Sequence, residues 1–378
     1  MAKKNKSGKK AFTGVQFPQQ YIWNCWNTDN EQDEQDTHMA ISMFLDGIER
    51  GLSNSDANVY GTIYYAIQAI EMELTVDNLD NLKKCIPGAP FNDNLDRILE
   101  HGEEFIETIE RLESEDLTAL LVKALYCHNE NPAIKAANYS NFGPNDYRRS
   151  MFFAQVALMV LENRKAIATS YADFGGGYGD FAMMVAASGL PCSVVCSCEK
   201  DANAVKVAGA RLAITKCRAA VDMGDIFDLE WDPQFDRIFS EPSFSDDFDS
   251  IPDEYISAVK ERYGYEVSAS DHDWLYALCA SEHLTERGKA MVVVRQGSLS
   301  DPATENARRI ILEQNLLAGV VNLPDYFKIH GEKMACVILR KGSESVSMHG
   351  AEEVDSRGEK GRMDGYMSQN LIEVLRSI

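Results

Sequence analysis

The sequence predicts an α/β fold with a Rossmann-like, largely parallel sheet and an all-helical region in front of it. Three observations lead to this prediction. Short apolar strand patterns alternate with helical patterns from about residue 168 onward. A glycine-rich turn stands between the first of these strands and the helix that follows. Residues 37–130 show helical spacing of their apolar side chains.

The chain divides into four predicted segments. Residues 1–36 are polar and charged at both ends and are expected to form a flexible tail. Apolar residues at helical spacing predict an N-terminal helical domain over residues 37–138. The α/β pattern predicts a second domain over residues 139–342, followed by a C-terminal extension with a terminal helix over residues 343–378. The helical domain by itself indicates no function.

Composition narrows the class of protein. The chain has 378 residues, 45% of them hydrophobic and 25% charged, which is typical of a globular protein with a sizeable core. Its nine cysteines are scattered and lack zinc-site spacing, so we expect free thiols in a reducing compartment and no metal site. No apolar run has membrane-spanning length and no signal peptide opens the chain, which favours a cytoplasmic location.

The glycine-rich turn is the most informative stretch. An uncharged strand pattern ends at Asp173, and glycines follow at Gly175, Gly177 and Gly179 before a helical pattern begins. Glycine permits the tight backbone turn and the close approach of a ligand. The start of the next helix offers free N–H groups. The pattern therefore predicts a nucleotide-type cofactor site, although a glycine-rich turn alone is a weak signal.

Three further strand ends carry polar groups. The second strand pattern ends at Glu199, the third leads to Asp225, and the fourth runs into Glu241–Phe244. Glu199 lies about 20 residues beyond the glycines, where a carboxylate can accept from both hydroxyls of a ribose. The carboxyl ends of parallel strands meet at one edge of the sheet, where ligands bind in doubly wound folds. We therefore expect one pocket at this edge.

The order of these motifs resembles the class I S-adenosylmethionine-dependent methyltransferases. It comprises Asp-x-x-x-Gly-x-Gly after the first strand, an acid after the second, Gly-Asp after the third and Pro-x-Phe after the fourth. More narrowly, it resembles the N6-adenine DNA methylase (modification) subunit of type I restriction-modification systems, whose fourth-strand motif is Asn-Pro-Pro-Phe. The stretch Leu312–Lys341 also follows that family's order, and the resemblance in pattern covers residues 139–378.

The resemblance implies S-adenosylmethionine as cofactor and assigns each contact a role. Asp173 would anchor the glycine turn or take the cofactor's ammonium group, and Gly175, Gly177 and Gly179 would give room to its methionine part. Glu199 would bind the ribose hydroxyls as a charge-assisted acceptor. Asp225 would accept from the adenine amino group. Each acid alone could equally be a turn or capping residue.

The fourth-strand motif departs from the family. There the Asn side chain and a Pro carbonyl accept from the exocyclic amine, and the aromatic residue stacks on a flipped base. Here the candidate catalytic residues are Glu241, Pro242 and Phe244, while Ser243 replaces the second proline and Gly143 stands where the family has a threonine. Glu241 is an acceptor that is longer by one methylene and carries a full charge.

Two readings of this motif stay open. In the first, Glu241 does the acceptor's work and the protein methylates adenine in DNA. In the second, the methylase fold has lost activity and serves as a partner or assembly subunit, with or without bound cofactor. A dinucleotide-binding domain and methylation of a protein glutamine or an RNA base are further alternatives.

The partners follow from the resemblance and from the charge. The net charge of −22 disfavours DNA binding by this chain alone, because phosphate contacts need Lys and Arg. A separate DNA-reading (specificity) subunit would supply those contacts, unless a local basic patch does so. We expect a protein partner to bind through the helical domain, and no membrane association. The acidic surface is also compatible with nothing more than solubility.

Overall fold

The computed structural model describes residues 56–85, 92–114, most of 153–162, 169–187, 190, 192–213, 219–242, 251–323 and 331–350. Within these residues the strands are β1 (Ser170–Phe174), β2 (Val194–Glu199), β3 (Ala219–Met223), β4 (Phe235–Ser240), β5 (Leu284–Arg295), β6 (Leu317–Asn322), β7 (Met334–Arg340) and β8 (Ser347–His349). The helices are α1 (Asp56–Glu71), α2 (Asn92–Glu100), α3 (Gly102–Ser114), α4 (Asp180–Ala187), α5 (Ala202–Ala213), α6 (Asp253–Tyr263), α7 (His272–Glu282) and α8 (Glu305–Glu313). Short 3-10 turns cover Val76–Lys84, Ala269–Asp271, Gln296–Leu299 and Pro302–Thr304.

The eight strands of the described residues form one sheet in the order β3-β2-β1-β4-β5-β7-β6-β8. The pairs among β1 to β5 are parallel, whereas β7 runs antiparallel between β5 and β6. The order of the first five strands is that of the dinucleotide-binding Rossmann fold. The antiparallel β7 distinguishes this sheet from that fold, and the predicted Rossmann-like α/β class is confirmed.

Helices cover both faces of the sheet. One face packs against α1, α4, α5 and the helical residues between 153 and 161, with Tyr171, Phe239 and Val293 in that core. The other face packs against α6, α7 and α8, with Phe174, Ile238 and Val292 on that side. A strand whose two faces are both covered by helices is apolar on both sides, which explains the continuous apolar runs Ala290–Val294 in β5 and Met334–Leu339 in β7.

The helical region in front of the sheet is present where the structure describes it. Its helix α1 packs directly on α5, and its buried residues join the same core as the first sheet face. The predicted helices over residues 39–48 and 117–125 and the boundary at residues 138–139 lie outside the described residues. The short β8 lies in the predicted C-terminal extension and pairs in parallel with β6.

A membrane-spanning helix is not found among the described residues, where none combines sufficient length with sufficient apolar character.

Candidate functional site

The carboxyl ends of the parallel strands place the predicted site residues along one edge of the sheet. Strand β1 lies between β2 and β4. The chain leaves β1 toward β2 on one side and reaches β4 on the other, so β1 and β4 flank the topological switch point where ligands bind in such sheets. Ser240, at the end of β4, donates its hydroxyl to the Phe174 carbonyl at the end of β1 (3.1 Å). This bond fixes the two strand ends against each other.

The glycine turn after β1 adopts a backbone conformation that requires glycine. Gly175, Gly177 and Gly179 all have positive φ values, of 65°, 52° and 74°. Side chains at such φ angles are strained. The N–H groups of Gly175 and Gly176 donate to the Cys198 carbonyl at 3.0 and 3.1 Å, which folds the turn onto β2. The three predicted glycines therefore lie together in a single tight turn.

Gly176 is a further constrained position that the sequence analysis did not single out. A Cβ atom there would lie 2.2 Å from the Ser197 hydroxyl oxygen and 3.2 Å from the Asp173 carboxyl carbon. Ser197 is fully buried, and its hydroxyl has no hydrogen-bond partner in the described part of the chain. The only available signal was the run of three glycines, because the clash comes from β2.

Asp173 lies beneath the turn. It is 3% exposed, and its carboxylate accepts from the Ala182 N–H in the first turn of α4 (3.2 Å). Burial raises its pKa well above the usual range, and the nearby charges of Asp180, Glu241 and Glu199 raise it further. The Ala182 hydrogen bond opposes this shift. Several carboxyl groups therefore share one small volume, which favours a positively charged ligand.

Glu199 joins β2 to the glycine turn. One carboxylate oxygen accepts from the Gly177 N–H at 2.9 Å. The other accepts from the N–H groups of Lys200 and Asp201 at 2.7 and 2.9 Å. The structure thus brings the predicted ribose acceptor within a hydrogen bond of a predicted cofactor glycine. An ionised carboxylate has about four acceptor positions, and three of them are used here, so about one remains for a ligand.

Asp225 lies beyond β3 and is tied to the same edge. Its Oδ1 accepts from the Phe227 N–H at 3.0 Å, and its Oδ2 lies 2.7 Å from the Lys200 ammonium. The neighbouring Gly224 N–H donates to the Glu199 carbonyl at 3.0 Å. A lysine thus faces the third predicted acid, a feature that the strand-end pattern did not predict.

The fourth-strand motif meets the glycine turn directly. A Cβ at Gly175 would lie 3.9 Å from the Glu241 carbonyl oxygen, so the two backbones are adjacent. Pro242 is buried and Glu241 half-buried. The Glu241 charge contributes to the raised pKa of both Asp173 and Cys336. Phe244, Ser243 and Gly143 lie outside the described residues.

No cluster of three or more metal-ligating side chains occurs among the residues that the structure describes.

The comparisons with known proteins match this architecture. The family model described as N-6 DNA Methylase matches residues 202–370. A putative class I S-adenosylmethionine-dependent methyltransferase from Listeria monocytogenes aligns with a TM-score of 0.57 and 11% identity over 93% of this chain and 98% of that one. The methyltransferase subunit of a type I restriction-modification system from Streptococcus thermophilus gives 0.55 and 16%, over 90% and 92%. Among curated proteins no match is found.

This chain has the class I S-adenosylmethionine-dependent methyltransferase fold. Its predicted resemblance to the N6-adenine DNA methylases is confirmed by the family match, which spans the fourth-strand motif and all of β3 to β8. The match supports S-adenosylmethionine as the cofactor and N6-adenine methylation as the function. It does not favour the alternative of an inactive assembly subunit.

Proposed function

We propose that this methyltransferase-fold protein transfers a methyl group from S-adenosylmethionine to the exocyclic amine of adenine in DNA. The observation that carries the proposal is the meeting of the Gly175 turn with the Glu241 backbone at the switch point of the sheet. The glycine turn, which would hold the cofactor, and the fourth-strand motif, which would hold the target amine, are adjacent there. Methyl transfer between two bound groups requires such closeness.

The residues present fit a cationic cofactor. S-adenosylmethionine, when bound, supplies a methyl group on a positively charged sulfonium and also carries an ammonium group. Glu199 and Glu241 place negative charge around the turn, and after burial, which is the main cause, these charges and that of Asp180 raise the pKa of Asp173. A bound positive charge would relieve this repulsion.

We assign the cofactor contacts as follows. Asp173 holds the start of α4 through Ala182 and offers charge to the ammonium group. Glu199 accepts from a ribose hydroxyl at its remaining acceptor position while it keeps the Gly177 N–H in place. Asp225 accepts from the adenine amino group of the cofactor, with Lys200 fixing its carboxylate.

Glu241 and Pro242 act on the target amine. A Glu241 carboxylate oxygen and the Pro242 carbonyl accept its two N–H groups, which turns the nitrogen lone pair toward the methyl group. Glu241 also offers its carboxylate to the proton that the nitrogen loses on methylation. Phe244 would stack on the flipped base, as its place in the motif indicates.

DNA would be bound together with a separate DNA-reading subunit. The net charge of −22 argues against strong binding by this chain alone. A subunit of a restriction-modification system has the same fold. Cys85, Cys196, Cys198, Cys279 and Cys336 have free thiols, in keeping with the cytoplasmic location expected from the sequence.

Labelled methyl transfer tests the proposal. Full-length protein, with and without a candidate DNA-reading subunit, is incubated with methyl-labelled S-adenosylmethionine and DNA, and nucleosides are analysed for N6-methyladenine. Labelled N6-methyladenine with wild-type protein is the expected result. The proposal fails if wild-type protein does not bind the cofactor in calorimetry. It also fails if neither wild type nor the Glu241→Asn/Ser243→Pro variant incorporates label.

A further inference from the structure

Arg211 in the last turn of α5 is a charged side chain with no solvent exposure. Burying a guanidinium is costly unless it is paired and hydrogen-bonded. Its Nη1 donates to the Asp180 carboxylate at 2.7 Å and to the Tyr178 carbonyl. Both partners belong to the segment that joins the glycine turn to α4. A buried cation from a different helix thus holds the exit of the turn.

Helix α5 contacts the same segment at a second point. A Cβ at Gly179 would lie 3.0 Å from the Ala208 Cβ, so the turn lies directly on α5 there. Ala208 and Arg211 are three residues apart and share one face of the helix. Gly179 lies between the two partners of Arg211, Tyr178 and Asp180. One face of α5 therefore fixes three consecutive residues of the turn.

These contacts extend to the proposed cofactor groups. The Gly179 N–H donates to the Gly176 carbonyl at 2.7 Å, so a shift at residue 179 moves the rest of the turn. Gly177, the donor to Glu199, lies between them. Asp173 accepts from Ala182, two residues beyond Asp180. The position of both proposed cofactor acids is thus linked to the segment that Arg211 holds.

We propose that Arg211 is a positioning residue for the methyl-donor site, acting through Tyr178 and Asp180 without touching the cofactor. This inference rests on the proposed function, since it takes the glycine turn to hold the cofactor. Arg211 also neutralises Asp180, one of the charges that raise the pKa of Asp173. Without Arg211 that carboxylate would lose the guanidinium that neutralises it beneath the turn.

The test compares Arg211→Met, Arg211→Lys and a control core variant, Val337→Ala, in the full-length protein. Val337 is fully buried in β7, so its truncation lowers stability away from the turn. The measurements are melting temperature, hydrogen exchange at the amides of residues 175–182, and S-adenosylmethionine affinity by calorimetry. We expect Arg211→Met to weaken cofactor binding at least tenfold, with faster exchange confined to these amides, and Arg211→Lys to recover part of the loss. Val337→Ala should leave both the cofactor affinity and the exchange at these amides unchanged.

A double variant separates charge from position. In Asp180→Asn/Arg211→Met the carboxylate that Arg211 neutralises is also removed, so the melting temperature should recover. Cofactor affinity should stay low, because the hydrogen bond from Arg211 to the Tyr178 carbonyl is still missing. The inference is overturned if Arg211→Met and Val337→Ala, at similar melting temperatures, show equal affinity and equal exchange. Since exchange is measured without cofactor, failure of the wild-type protein to bind S-adenosylmethionine would refute the proposed function separately. If Arg211→Met does not fold, the cofactor affinity and the amide exchange of Arg211→Lys are compared with those of wild type, and that comparison decides.

Discussion

Replacing Gly176 by alanine would place a methyl group where the structure leaves no room. The new Cβ would lie 2.2 Å from the Ser197 hydroxyl oxygen and 3.2 Å from the Asp173 carboxyl carbon and carbonyl oxygen. The backbone atoms of β1 cannot move away without disturbing the sheet. Overpacking of this kind costs about 1–3 kcal/mol. We expect Gly176→Ala to lower the free energy of unfolding by that amount and to weaken S-adenosylmethionine binding at least tenfold, or about 1.4 kcal/mol.

A second substitution isolates the cause of this effect. Ser197→Ala removes the oxygen that clashes and leaves the contact with Asp173, which is merely tight. The hydroxyl has no partner among the described residues, so removing it alone should be close to neutral for stability. The double variant should therefore be more stable than Gly176→Ala, with a coupling of roughly 1–2 kcal/mol in a double-mutant cycle.

Urea unfolding and calorimetry provide the assay, and Gly209→Ala provides the control. A Cβ at Gly209, in the middle of α5, meets nothing within 4 Å. Alanine is favoured over glycine inside a helix, so this variant should be at least as stable as wild type. If Gly176→Ala matched Gly209→Ala in both stability and cofactor affinity, the turn would not be packed as described and the reasoning would be wrong.

Further predictions concern charge. Glu241→Gln keeps a hydrogen-bond acceptor of the same length and removes the charge. We therefore expect a lower kcat for methyl transfer in initial-rate kinetics and weaker cofactor binding in calorimetry. An unchanged Kd for the cofactor would contradict the charge argument. Because folding raises the pKa of Asp173, wild-type stability should fall as pH rises from the ordinary Asp range through that raised value. The advantage of Asp173→Asn in melting temperature should therefore grow as the pH rises above the ordinary Asp pKa of about 4, and a difference that stays constant with pH would contradict the raised pKa. The fully buried Asp273 is hydrogen-bonded to the His272 ring and to the Arg295 backbone and guanidinium, and these contacts outweigh burial and lower its pKa. Asp273→Asn should lower the melting temperature most at pH values above the ordinary Asp pKa. The difference in melting temperature from wild type should shrink as acid protonates the wild-type carboxyl. Arg309→Gln, which removes one partner of an exposed ion pair, should have no measurable effect.

The sequence predicted the local features of the site because they depend on neighbours in the chain. Strand patterns gave β4 its bounds at Phe235 and Ser240, and the acids at 173, 199 and 225 do lie at one sheet edge. The positive φ values occur at the three glycines that were expected to turn tightly. Each of these features follows from periodicity or from the special freedom of glycine.

The features that the sequence did not reveal depend on partners distant in the chain. Gly176 is restricted by Ser197 and the turn exit by Arg211, at separations that no periodicity encodes. The position of β7 between β5 and β6, antiparallel to both, likewise depends on long-range pairing. Helical spacing in α1 predicted a buried face but could not say that α5 would cover it.

The charge at Glu241 and the proton on Asp173 are best understood together. A neutral amide at position 241 would leave Asp173 with fewer negative neighbours and a lower pKa. With Glu241 in place, the buried Asp173 can hold a proton until a positive charge enters the turn. Cofactor binding should then release that proton, because the bound cation favours the ionised carboxyl. Calorimetry in two buffers of different ionisation enthalpy measures this release directly. We expect a proton release in wild type that disappears in Asp173→Asn and shrinks in Glu241→Gln. That result would show that the two carboxyl groups respond to the cofactor as a coupled pair. Equal heats of binding in both buffers would show that they do not.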